Sequence, residues 1–214
     1  MSRFSWLFVM LIVLMFGADA TCPRAQSAPP QGAIAADEIK AAALADLQVL
    51  EKRIVMIAQG IPAEKFTWNP GLMLSPLPPD PQADPYGRTV SNLLLHIAMV
   101  NFVRPAQLGA PPAAGFTQKN YETSTTDKSK VLNQVTQSFD YSRNAIQKLS
   151  DGDLQKRVLL NHREVSGDVF LFSWVSELNE YLGQVIAYGR VNGVIGTAES
   201  GFAPRPERGQ KHVQ

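Results

Sequence analysis

A single cysteine, Cys22, occurs among 214 residues. One thiol can form no intramolecular disulfide and no cysteine cluster for zinc. Histidine is almost as scarce, with three residues, of which His212 lies near the carboxyl end. Neither sign of charge is in excess: 20 Lys and Arg stand against 19 Asp and Glu. That balance provides no basic stripe or patch, so nucleic acid is excluded as a partner. The longest apolar run, Phe4 to Phe16, falls short of the ~20 residues that span a bilayer as a helix. No phosphate-cradling loop, dinucleotide Gly-x-Gly-x-x-Gly, His-Glu-x-x-His or Gly-x-Ser-x-Gly is found. No repeat of fixed period is visible either, which argues against a solenoid.

What is present is enough apolar material, 45% of the residues, for one globular domain with tails. Arg3 precedes the apolar run, and Ala18-Asp19-Ala20 follows it as a small-x-small cleavage pattern. This layout predicts a signal peptide over residues 1–20 and an exported protein, periplasmic or secreted, with no membrane span after cleavage. An uncleaved anchor is the alternative. Residues 21–36, rich in Ala, Pro, Gln and Gly, read as a flexible leader, and 199–214 as a disordered tail.

Between them, over residues 37–198, the spacing of apolar residues predicts an all-α four-helix bundle with long proline-rich connections. A first helix, Asp37 to Gln59, carries the stripe Ile39, Ala43, Leu47, Leu50, Ile54 and Ile57, with Asp37 as cap. A second, Val90 to Val103, starts at Thr89 and is stopped by Pro105. A third, Lys128 to Leu149, is capped by Asp127 or Thr126 and buries Val131, Val135, Phe139, Ser142, Ile146 and Leu149. The fourth, Asp168 to Val191, is capped by Ser166 and presents Val169, Phe172, Val175, Leu178, Leu182, Val185 and Ile186. No strand pattern stands out. The connection from Pro70 to Arg88 holds six prolines and reads as an extended surface loop.

Few residues can carry chemistry. His162, between the third and fourth helices, reads as a solvated loop residue. His96 lies inside the apolar stretch Leu93-Leu94-Leu95-His96-Ile97-Ala98. It is either a core histidine satisfied by a hydrogen bond, or a metal ligand or proton carrier. On the fourth helix Glu177, Tyr181, Gln184 and Tyr188 are spaced by four and three, which puts them on one face beside the apolar stripe. Glu177 and Tyr181 can meet His96 across the bundle, while Gln184 and Tyr188 are candidates for ligand binding. One His and one Glu are fewer good ligands than a catalytic zinc site uses, and a phenol is an uncommon one.

Three patches carry a resemblance to a known family: Pro62-Ala63-Glu64-Lys65-Phe66-Thr67-Trp68-Asn69-Pro70, Arg88 to Ala98, and Leu182-Gly183-Gln184-Val185-Ile186-Ala187-Tyr188-Gly189-Arg190-Val191-Asn192-Gly193. Together, in this order, they resemble the DinB family (DinB/YfiT-like four-helix-bundle metalloenzymes). The resemblance implies a divalent ion, zinc or nickel, held by one histidine of helix two and two of helix four. Carried over, these positions are His96, Glu177 and Tyr181, so the metal-ligand set is degenerate. Two functional expectations follow. One is a non-catalytic small-molecule-binding or dimerising module without a cofactor. The alternative is a divalent-metal-dependent hydrolase or thiol S-transferase using His96 and Glu177. A homodimer is also implied by the resemblance.

Overall fold

The structure, a computed structural model, describes residues 35–73 and 87–194. The expected signal peptide, leader and tail, and most of the proline-rich connection, lie outside the described residues. Among the described residues the main elements are five α-helices and one hairpin, joined by loops and three short 3-10 turns. They are α1 (Ala36–Gly60), α2 (Val90–Gln107), α3 (Lys128–Gln147), α4 (Asp151–Gln155), β1 (Arg157–Leu160), β2 (Arg163–Ser166) and α5 (Gly167–Val191).

The four long helices form the bundle, and their directions follow from paired contacts. Lys128 at the start of α3 donates to the carbonyls of Gln59 and Ile61, each at 2.7 Å. At the other end Lys40 of α1 donates to the carbonyl of Leu149 at 3.2 Å. Helices α1 and α3 are therefore antiparallel. Helices α2 and α5 are also antiparallel, since Arg104 meets Glu177 while the Tyr188 hydroxyl donates to the carbonyl of Arg88. Helices α1 and α5 run in the same direction, with Gly189 against Ile57 and Val194 against Gly60. The order is up, down, down, up. Only the segment between α2 and α3 must cross the length of the bundle.

The stripes read from the sequence form the interior. Leu47, Leu50, Ile54 and Ile57 of α1, Leu93, Leu94 and Ile97 of α2, Val131, Val135 and Phe139 of α3, and Leu178, Leu182 and Val185 of α5 are all buried. Each such side chain stabilises the fold by roughly 1.5–3 kcal/mol relative to exposure.

Several local expectations are corrected. Pro105 does not stop α2, which continues to Gln107. A helical proline leaves the carbonyl four residues earlier without its donor. Here that carbonyl, of Asn101, accepts instead from the Ser142 hydroxyl of α3 at 3.0 Å. Asp37 does not cap α1, because the cap position is Ala35, and Asp37 pairs with Lys40 at 2.9 Å. Ser166 does stand before α5, but its hydroxyl bonds to the carboxylate of Asp168 rather than to the helix backbone. Thr89 and Asp127 cap as expected, accepting from the amides of Asn92 and Lys130.

The hairpin was not expected. β1 and β2 pair antiparallel, Val158 opposite Val165, around Asn161 and His162, whose φ angles are 47° and 63°. Two successive positive φ values match the twist that a two-residue hairpin turn needs. His162 is exposed at its tip. The short helix α4 was missed as well; a capping box between Ser150 and Asp153 opens it.

The first turn and a half of α5 is also rotated from expectation. Phe170, Leu171 and Trp174 are buried there, whereas Val169 and Phe172 are 46% and 74% exposed. The run Val169-Phe170-Leu171-Phe172 is apolar on every side, so periodicity alone could not choose its inward face.

Candidate functional site

A chain of polar side chains links α2, α5 and the crossover segment. His96, with its side chain only 12% exposed, occupies the centre. Its Nε2 lies 2.9 Å from the Tyr181 hydroxyl, and the two rings meet edge to face. The Tyr181 hydroxyl donates to Glu177 Oε1 at 2.9 Å, one helical turn away. Glu177 Oε2 in turn accepts from the Arg104 guanidinium at 2.7 and 3.1 Å. On the other side of the imidazole, Nδ1 lies 2.6 Å from Glu122 Oε1. Glu122 Oε2 accepts from Arg88 Nε at 2.9 Å.

The positions of these groups have local causes. Helical spacing on α5 stacks Glu177 and Tyr181 one above the other. Glu122 is carried by a short 3-10 turn, Tyr121–Thr123, in the crossover segment. That turn is pinned by Tyr121, whose ring packs against Phe102 and Phe116 at centroid distances of 6.0 and 5.1 Å. Burial pushes the Tyr121 phenol up to about 12, so it serves as a neutral wedge. Arg88 is held through its own carbonyl by the Tyr188 hydroxyl at 2.9 Å, and Tyr188 stacks edge-on against Trp68.

Proton counting shows what the chain's hydrogen bonds require. Three contacts join Glu122, His96, Tyr181 and Glu177 in sequence, and each requires one proton. A neutral imidazole and a phenol bring only two. Glu177 takes both bonds of the Arg104 fork, which calls for a carboxylate. Burial works against charge on Glu122, but bonds and charge from Arg88 and His96 together outweigh it and hold its carboxyl below the ordinary range. All three contacts are therefore met when the imidazole carries both protons, donating from Nδ1 to Glu122 and from Nε2 to the tyrosine oxygen. Arg88 Nη2 also approaches Nδ1, at 3.1 Å, but that nitrogen cannot donate to Glu122 and accept from Arg88; the shorter contact is the bond. Ion pairs close the chain at both ends, Arg88 with Glu122 and Arg104 with Glu177.

The structure brings His96, Glu177 and Tyr181 together, and Tyr188 supports the same region through Arg88. Gln184 does not join; it is exposed and makes none of these contacts. Arg88, Arg104 and Glu122 complete the chain and were not singled out. Arg104 fell beyond the expected end of its helix, and Glu122 lies in a loop without periodicity.

The fit of a divalent ion can be judged from these donors. Both nitrogens of His96 are engaged, Glu177 is taken by Arg104 and Tyr181, and two guanidinium groups flank the centre. Burial, with the bond and charge of Glu177, pushes the Tyr181 phenol up, away from the phenolate that a metal would bind. Among the described residues no group of three or more His, Cys, Asp or Glu is placed to hold a metal. The set does not fit the ion that the resemblance implies.

Comparison with solved structures decides the fold. A DinB-like protein from Bacillus subtilis superposes with a TM-score of 0.51 at 12% identity, covering 71% of this chain and 92% of that one. The chain has a DinB-like fold. No family model and no curated protein matches it. In this DinB-like bundle the polar chain joins α2 and α5, the helices to which the resemblance assigns the family's metal ligands. No helix among the described residues is long and apolar enough to cross a membrane.

Proposed function

We propose that this protein is an exported, non-catalytic DinB-like bundle, kept as a small-molecule-binding or dimerising module. In this reading the metal position has been taken over by a self-satisfied chain of charges and hydrogen bonds. The observation that supports it is the saturation of the would-be ligands: each donor atom of His96, Glu177 and Tyr181 that a metal needs already has a protein partner. Opening the cluster to a cation would strip Glu177 from Arg104 and leave a partly buried guanidinium unpaired, which is costly. The export half of the reading rests on the signal-like residues 1–20 and is checked by cell fractionation.

The deciding experiment is metal analysis of the full chain, purified without a polyhistidine tag. The expected result is no retained ion, and none acquired from added zinc, nickel or manganese. One ion per chain, lost in His96→Ala, would overturn the reading. It would favour instead a divalent-metal-dependent hydrolase or thiol S-transferase with His96 and Glu177 as ligands.

A further inference from the structure

Val169 and Phe172, exposed near the start of α5, border a groove that shares no residue with the polar chain. It runs between the first halves of α1 and α5 and has a volume of about 400 Å3. That is within the roughly 300–1,000 Å3 of small-molecule sites. Its walls are apolar, with Ile39 and Ala43 from α1 and Val169, Phe172 and Val175 from α5. Its charged lining residues are all of one sign: Glu38, Asp46 and Asp168, with no Lys or Arg.

These acids are not fully accounted for by the helix ends. Glu38 and Asp168 stand in first turns, where a carboxylate complements the helix dipole. Asp168 also accepts from the Ser166 hydroxyl and the Val169 amide. Two helix starts contribute only about +1 charge together. Three carboxylates and no cation among the lining residues leave the groove's lining net negative. Asp46 lies well inside α1, and among the described residues neither it nor Glu38 has an ion-pair partner. Phe172 adds an exposed aromatic face, to which cations are attracted. A second copy seated here by a two-fold axis would bring the same acids face to face.

We propose that the groove between α1 and α5 binds a small cationic amphiphile, an alkyl or aryl ammonium compound. Its hydrocarbon lies against the apolar walls, and its cationic head faces the acidic rim that Glu38, Asp46 and Asp168 supply. The proposal rests on the binding-module reading above and names the ligand class for it.

Titration calorimetry of the full chain at low salt, with octyltrimethylammonium, octanoate and octanol below their aggregation limits, provides the test. Saturable one-to-one binding of the ammonium is expected, at least about tenfold tighter than octanoate. Glu38→Gln with Asp46→Asn is expected to cut that preference to about twofold while octanol binding persists. Phe172→Ser, at an exposed position, is expected to weaken the ammonium severalfold without changing the melting temperature. Absence of saturable binding, or octanoate binding as tightly as the ammonium, overturns the proposal. So does a concentration-dependent dimer in sedimentation that Phe172→Glu abolishes, which would assign the groove to a second copy. A retained metal ion would sink the non-catalytic reading and leave these binding results intact, so the two failures are distinguishable.

Discussion

Tyr181 joins two members of the polar chain, His96 and Glu177, through a single hydroxyl. Tyr181→Phe leaves His96 Nε2 and Glu177 Oε1 short of a partner each. The expected cost is about 1–2 kcal/mol of stability, since the site is only partly closed to water. Urea unfolding of the two proteins measures it. Glu122 sets the acid limit of the same chain. Its folded carboxyl titrates below the ordinary value of 4.5, so ionised Glu122 favours the folded state. That contribution is complete above about pH 4.5 and is lost as pH falls through the lower folded value. The acid limb of stability against pH is expected to flatten in Glu122→Gln, as followed by circular dichroism. Spacing on one helix revealed Glu177 and Tyr181, and an ionisable residue amid Leu and Ile revealed His96. Spacing fixes where a residue sits around a helix axis, however, and not which element covers it. Hence Gln184 shares the stripe of Tyr181 yet faces solvent, and Glu122 reached the centre through a wedge of aromatic rings that no period announces.

At the scale of the element, α2 shows how one proline can be accommodated. Pro105 leaves the Asn101 carbonyl to the Ser142 hydroxyl, and both residues are buried. Ser142→Ala is expected to cost about 1–3 kcal/mol. In a Pro105→Ala background the helix regains its own donor, so the same change is expected to cost much less; a double-mutant cycle in urea reads the difference. Helices α1 and α5 meet closely at Gly189, where an added Cβ would come 2.6 Å from Ile57 Cγ2. Gly189→Ala is expected to lose about 1–3 kcal/mol by overpacking. Thermal melts check it, and Ile57→Ala in combination is expected to lose less than the sum. The four long helices were legible because each keeps one apolar stripe for several turns. The hairpin was not, because its strands have four residues each and its turn is Asn-His, without the glycine that usually marks such turns. The continuation of α2 was hidden for a different reason: the compensating hydroxyl belongs to another helix.

Over the whole bundle, the up-down-down-up order makes α1 and α5 neighbours although they stand at opposite ends of the described chain. Ile57 of α1 packs against Gly189 of α5, so part of the first helix's apolar stripe is covered only when that last helix is in place. A chain truncated after Ser166 is therefore expected to melt without a cooperative transition in calorimetry. The requirement reaches into biogenesis. During synthesis the first helix emerges long before its partner, and the ribosome delivers about 5–20 residues each second. For several seconds a greasy strip waits uncovered, at risk of sticking to other nascent chains. The arrangement thus postpones commitment to the folded state until the final rod arrives.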